Sequence, residues 1–330
     1  MTSDNWQRVV TLTQGKAIVV TDLHGDWDLY VRYRDLFLRE HQAGNLQHLI
    51  FSGDLIHRES ISQQDKSLEI VLDVLALQEE YPDRVVYLCG NHELPHIYST
   101  TLAKGDILYT PRFEAQLGSQ RQRVIQAFRS LPFFVRTTAG VVITHAGASA
   151  PFSLDQHTIE IFNYDHQAIF DIVDQLLMRK DLEALRRGIG NFSGQSYDQL
   201  VRLYLAVNGP DDPRYDDFLR GFVASSAPEF QRLWTMLFTR CEYEYPKAEY
   251  VILLEALLKA LSAGFQPQRF LVAGHLDVRR GFEVVAARHL RLASGKHALP
   301  PNAVRYLVFD VSQPIYIIDE LLSGLRSIYN

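Results

Sequence analysis

An α/β core interrupted by a helical insertion is the fold class that the sequence predicts, on three observations. Short apolar runs alternate with amphipathic stretches through the first hundred residues. Between about 151 and 264 the pattern becomes mostly helical, and from 269 onward short strand-like runs return. Strand, helix, strand, helix, strand in succession implies crossover connections and a largely parallel sheet. The core is accordingly assigned to 1–150 and 265–330, and the helical insertion to 151–264.

In chain order, Lys16-Ala17-Ile18-Val19-Val20-Thr21 is apolar and rich in β-branched residues, so it predicts a strand. It empties into Asp22-Leu23-His24-Gly25-Asp26. If that segment is extended, Asp22 and His24, two apart, share one face. Residues 27–41 have helical spacing through Tyr30, Tyr33, Leu36 and Phe37, and stop near Gly44. Leu49-Ile50-Phe51-Ser52-Gly53-Asp54-Leu55-Ile56-His57-Arg58 reads as a buried strand running into a tight turn, which brings a carboxylate out at the strand's C-terminal edge. Residues 67–80 form an amphipathic helix closed by Tyr81-Pro82, and Arg84-Val85-Val86-Tyr87-Leu88-Cys89 is a third strand delivering Gly90-Asn91-His92-Glu93. A helix over 112–129 precedes paired strands at 133–135 and 141–144, the second ending in His145-Ala146-Gly147. In the insertion, 169–185, 197–207 and 251–261 are the clearest helices. Strand signals follow at 269–273, leading to Gly274-His275, and at 282–285, 289–292, 305–309 and 315–318.

Composition narrows the function. Hydrophobic residues make up 47% and charged residues 22%, the balance of a globular chain with a sizeable core. A net charge of −6 provides no basic field for nucleic acid or anionic lipid, and no apolar run approaches a membrane span. Cys89 and Cys241 cannot build a disulfide framework and fit a reducing compartment. The N-terminus lacks the basic and apolar regions of a signal peptide. A cytoplasmic protein, an enzyme or a binding domain without nucleic-acid or membrane partners, is the expectation. The oligomeric state is left open.

Five strand ends offer Asp22 and His24, Asp54, Asn91 and His92, His145, and His275. In such sheets ligands bind at the C-terminal strand edge. One histidine in such a place is ordinarily a satisfied core or surface residue, and Asp22 alone could be a helix cap. Their recurrence at successive strand ends is what points to a site. Mixed nitrogen and carboxylate donors suit Mn, Fe or Zn rather than Ca. A single aspartate among imidazoles is the natural bridge between two cations ~3.5–4 Å apart. His41, His48, His157, His166, His289 and His297 lack this context and read as ordinary core or surface residues.

Thr21-Asp22-Leu23-His24-Gly25, Gly53-Asp54-Leu55-Ile56-His57-Arg58, Gly90-Asn91-His92-Glu93, His145-Ala146-Gly147 and Gly274-His275, taken in this order, resemble the blocks of the calcineurin-like metallophosphoesterases. More narrowly, they resemble the PPP-type serine/threonine protein phosphatases and their bacterial relatives, including diadenosine tetraphosphatases. The resemblance covers roughly 16–148 and 269–310. It implies a β-sandwich core flanked by helices and two divalent metal ions. Asp22, His24 and Asp54 would surround one ion, and Asp54, Asn91, His145 and His275 the other. The paired cations would acidify a bridging water. The resemblance also implies that Arg58 clamps phosphate oxygens, that Asn91 helps to bind substrate and that His92 protonates the leaving group. Arg240, after Leu233-Trp234, is a candidate second phosphate arginine.

The chain departs from the family pattern in places. The family usually reads Gly-Asp-x-x-Asp-Arg-Gly where this chain has His57-Arg58-Glu59, so the carboxylate that normally supports the acid histidine is replaced by an imidazole. Without that support, aryl esters and phosphoanhydrides are expected to react better than phosphoserine peptides, unless Glu59 supplies the missing carboxylate. Thr21 replaces a glycine. The family's Ser-Ala-Pro-Asn block becomes Ala293-Ser294-Gly295-Lys296-His297. Three functions follow. The first is a phosphomonoesterase of protein-phosphatase type acting on a phosphoprotein or small phosphoester. The second is a hydrolase of nucleotides or dinucleoside polyphosphates. The third is a non-catalytic phospho-ligand-binding module. The insertion is expected to act as a lid or specificity element and to supply no metal ligand.

Overall fold

The computed structural model describes residues 6–59, 64–149, 156–239 and 241–329. These form two compact units, one of Met1–Asn91, Leu131–Tyr164 and Trp234–Asn330, the other of His92–Ser130 and Asp165–Leu233. Within the stretch 151–264, residues 165–233 group with 92–130, and residues 234–264 group with the strands.

The first unit is built on two sheets. Six strands run in the order Val9–Leu12, Phe134–Thr137, Val141–Thr144, Phe270–Ala273, His289–Leu292, Phe282–Val285. Five run in the order Leu325–Arg326, Tyr306–Asp310, Lys16–Val20, His48–Phe51, Val85–Tyr87. Leu12, Val135, Ile143, Val272 and Leu290 of the first sheet share one buried cluster with Val19, Ile50, Val86, Leu307 and Phe309 of the second. The two sheets therefore form a sandwich. Successive side chains point to opposite faces, so while Ile50 enters that cluster, Phe51 faces the helix Trp27–Gln42, where its ring lies 5.9 Å from Tyr30. Strands covered on both sides read as continuous apolar runs, as His48–Phe51 and Val141–Thr144 do; each fully buried aliphatic side chain contributes roughly 1.5–3 kcal/mol.

Lys16–Val20, His48–Phe51 and Val85–Tyr87 are mutually parallel, as the alternating pattern requires, and Tyr306–Asp310 adds antiparallel to Lys16–Val20. The helix over 27–41 is found as Trp27–Gln42, its first turn capped by the Asp26 carboxylate, which accepts from the Leu29 N–H; Ser67–Glu80 matches its expected bounds.

Three expectations are corrected and one strand is added. The helix expected over 112–129 is broken at Gly118, with φ +46°, into Tyr109–Leu117, a short 3-10 turn and Arg121–Ser130. The 169–185 segment divides into His166–Leu177 and Leu182–Ser193, because Asp181 starts a new helix by accepting from the Ala184 N–H. Residues 315–318 do not form a strand: the Glu320 carboxylate accepts from the Tyr316 N–H at 2.7 Å and caps the helix Ile318–Leu322. Val9–Leu12, not foreseen, pairs in parallel with Phe134–Thr137.

The second unit is mostly helical, with one short antiparallel pair, Ala103–Lys104 and Ile107–Leu108. Tyr197, Leu200, Val201, Leu205, Phe218 and Leu219 form one of its apolar clusters. The buried Glu114 carboxylate there is met by His96 at 2.9 Å and Arg121 at 2.9 Å. Among the described residues no helix is long and apolar enough to cross a membrane.

Candidate metal centre

The register of the sheets decides where the polar strand ends fall. Val20 pairs with Phe51 and Phe51 with Tyr87, so three parallel strands finish level and release Asp22 with His24, Asp54, and Asn91 at one edge. On the other sheet Thr144 pairs with Ala273, which puts His145 and His275 side by side just beyond. These six residues all belong to the first unit.

His145 is the most informative of them. Its Nδ1 lies 3.0 Å from the Ser52 carbonyl oxygen, which only accepts, so the ring proton is assigned to Nδ1 and Nε2 is left as an acceptor. That Nε2 faces Asn91 Oδ1 at 2.9 Å, His275 Nδ1 at 3.0 Å and Asp54 Oδ2 at 3.4 Å. A proton on His275 Nδ1 could satisfy one of these approaches, but the two oxygens have nothing to donate. A cation satisfies them all. Asp54 Oδ2 is also 3.7 Å from His24 Nε2, so one carboxylate oxygen stands between two imidazoles.

The second grouping is Asp22, His24 and His297, whose ligand atoms lie within 4.8 Å of one another; Asp54, His145 and His275 meet the same limit. Asp22 is fully buried. Its Oδ1 accepts from the His275 N–H at 2.9 Å, while Oδ2 has no hydrogen-bond partner among the described residues. Burial pushes the Asp22 carboxyl above the ordinary carboxylate range, with His297 and the His275 N–H pulling it back. A desolvated oxygen of this kind suits a divalent ion. The nitrogen and oxygen donor set is the one expected for Mn, Fe or Zn.

The backbone is strained at these positions. Asp22, His24, Asp54 and His275 have φ of +47°, +47°, +52° and +76°, so Asp22 and His24 do not lie in an extended segment as expected. Left-handed backbone at non-glycine residues costs on the order of 1 kcal/mol each and gathers at functional sites. Gly53, at φ +105°, is where the loops close on one another: a Cβ there would come within 2.8 Å of the Gly90 backbone and 2.9 Å of His145 Nδ1. At Gly274 a Cβ would run into the Asp22 carboxylate.

Behind these loops Arg291, 2% exposed, donates from Nη1 to the carbonyls of Ala146, at 2.7 Å, and Gly274, and from Nη2 to Glu242. It thereby ties together the two segments that carry His145 and His275. No local motif announces it, because a buried arginine reads in sequence like a surface residue of an ordinary strand.

Arg58 donates to the Gly25 carbonyl and to Asp26 Oδ2, each at 3.2 Å. With His24, Asp26, Glu59 and Lys296 it lines a cleft of about 320 Å³, in which Glu59 and Lys296 form an ion pair. The His57 N–H donates to Ser67 Oγ at 2.7 Å, and its side chain is buried. His92 follows Asn91 directly and begins the second unit, where its ring lies 5.0 Å from Tyr109. Arg240 lies outside the described residues. His157 is exposed, whereas His166 is buried against Tyr98, with Nδ1 2.7 Å from the phenol oxygen. The second unit holds a larger groove of about 580 Å³, lined by Glu183, Arg186, Tyr197 and Tyr215 among others. Arg186 is engaged there with Asp216, and the groove shows no convergence of metal donors among the described residues.

The family model of calcineurin-like phosphoesterases matches residues 15–211, more than half of the chain. The chain is a calcineurin-like phosphoesterase. This phosphoesterase therefore belongs to a family of metal-dependent enzymes, and its histidine and aspartate clusters supply donors for divalent metal. Among solved structures, a cold-active protein-tyrosine phosphatase from a psychrophilic Shewanella is similar at 13% identity and TM-score 0.51, over 92% of this chain and 78% of that one. A protein serine/threonine phosphatase from Saccharomyces cerevisiae is similar at 13% identity and TM-score 0.48, over 91% and 76%. At 13% identity the likeness to the Shewanella enzyme is one of fold. No curated protein matches the sequence significantly.

Proposed function

We propose that this phosphoesterase is a phosphomonoesterase of the serine/threonine protein-phosphatase type that works with two divalent metal ions, Mn, Fe or Zn. The observation that carries the reading is Asp54, whose Oδ2 stands 3.7 Å from His24 Nε2 and 3.4 Å from His145 Nε2. Asp22, His24 and Asp54 would hold one ion, and Asp54, Asn91, His145 and His275 the other. When bound, such ions neutralise phosphate charge and lower the pKa of a coordinated water toward neutrality.

The chain's own residues do the rest. The Ser52 carbonyl keeps the His145 proton on Nδ1 and its other nitrogen ready as a ligand. Arg58 presents a planar guanidinium from the wall of the cleft, a shape suited to two phosphate oxygens. Asn91 contributes to substrate binding through its amide. His92, next in the chain, protonates the departing alkoxide.

Turnover of a phosphoserine peptide, a phosphotyrosine peptide, p-nitrophenyl phosphate and a diadenosine polyphosphate by the manganese-loaded protein tests the assignment. Hydrolysis of the phosphopeptides and the aryl ester is expected. Turnover of the dinucleotide alone would make the protein a phosphoanhydride hydrolase instead.

A further inference from the structure

We propose that His297, oriented by Asp277, is a nitrogen ligand to the metal ion held by Asp22 and His24, an inference that rests on the metal-dependent reading of the site. His297 ends the segment that replaces the family's Ser-Ala-Pro-Asn block, and in sequence it reads as an ordinary core or surface residue. His297 Nδ1 lies 2.6 Å from Asp277 Oδ1. A carboxylate only accepts, so the ring proton is on Nδ1 and the Nε2 lone pair points away from Asp277. It points toward Asp22, with Nε2 3.8 Å from Oδ1.

That separation is too long for a hydrogen bond. It suits two donors sharing one cation: ligand atoms each about 2.0–2.2 Å from an ion stand roughly 3–4 Å apart. The His24 and His297 rings meet edge to face, with centroids 5.3 Å apart, so His24 closes the third side. A histidine that gives one nitrogen to a metal and the other N–H to a carboxylate is the usual arrangement for such ligands.

The position of His297 is fixed by the backbone. Val278–Arg279 pairs in parallel with Ala298–Leu299, Val278 opposite Ala298, so Asp277 and His297 enter the ladder side by side. The Val278 N–H donates to the His297 carbonyl at 2.8 Å. On the other flank the Ser294 N–H donates to Thr21 Oγ1 at 3.0 Å and the Lys296 N–H to the Asp22 carbonyl at 3.2 Å. Gly295 sits so close to that carbonyl that a Cβ would collide with it. The loop is stitched to the segment that carries Asp22 and His24, and the imidazole cannot swing freely away.

The test is manganese binding to the full chain by calorimetry and elemental analysis, with thermal melting in chelator as the control for folding. Asp277→Asn is expected to weaken one metal position by about 10–100-fold and leave the other unchanged, and His297→Ala, which removes the ligand nitrogen itself, to weaken the same position further. His297→Gln replaces the alanine variant if the latter fails to fold, and Asp277→Asn removes no ligand atom at all. Metal affinities equal to wild type in these variants would overturn the assignment of His297. Wild-type protein that binds no metal would overturn the metal-dependent reading itself, so the two failures are distinguishable.

Discussion

Replacing Asp54 with asparagine is expected to remove metal from both positions at once and to lower turnover by at least about 10²-fold, the loss typical of removing one group that stabilises charge at a reaction centre. Asparagine has nearly the same shape, so the sandwich and its strand ends should survive. The charge does not survive, and one of the two oxygens becomes an amide NH2, which cannot bind a cation. Since Asp54 Oδ2 lies between His24 Nε2 and His145 Nε2, a single substitution touches both ligand sets. Elemental analysis and p-nitrophenyl phosphate turnover, measured on the same preparation, check this. A variant that keeps its metal and its rate would remove Asp54 from the bridging position.

His92→Ala is expected to separate substrates by their leaving groups. An alkoxide departs poorly unless it is protonated, so hydrolysis of a phosphoserine peptide should fall by ~10²–10⁴-fold. Nitrophenolate departs without help, and its release should change only a few-fold. Metal content should stay at the wild-type level, because the nitrogen and oxygen donors around His145 are untouched. Equal losses on both esters would take the role of acid from His92. The wild-type ratio is informative as well. His57 stands where the family resemblance places an aspartate, so aryl esters should be favoured from the outset.

The residues that were legible in sequence are those whose role is announced by their neighbours. A buried apolar run followed by Gly53-Asp54 or Gly90-Asn91 has one economical reading, and the parallel register of the strands then brings the ends level. The helices starting at Trp27 and Ser67 were equally plain, since their apolar faces repeat without interruption. His297 and Arg291 were not legible, for a different reason in each case. His297 reaches Asp22 from more than two hundred and fifty residues away, through a two-residue ladder that leaves almost no periodic signal. Arg291 is a charge inside a four-residue strand, and only the carbonyls of Ala146 and Gly274 explain why it is tolerated there. The split at Asp181 shows the opposite failure: the apolar spacing continues past a residue whose side chain starts a new helix.

Metal content of the wild-type protein tests the central claim most directly. After loading with manganese and removal of loosely held ions, elemental analysis is expected to find about two ions per chain, because two donor sets share one aspartate. Protein that retains no manganese, iron or zinc under these conditions would contradict the account.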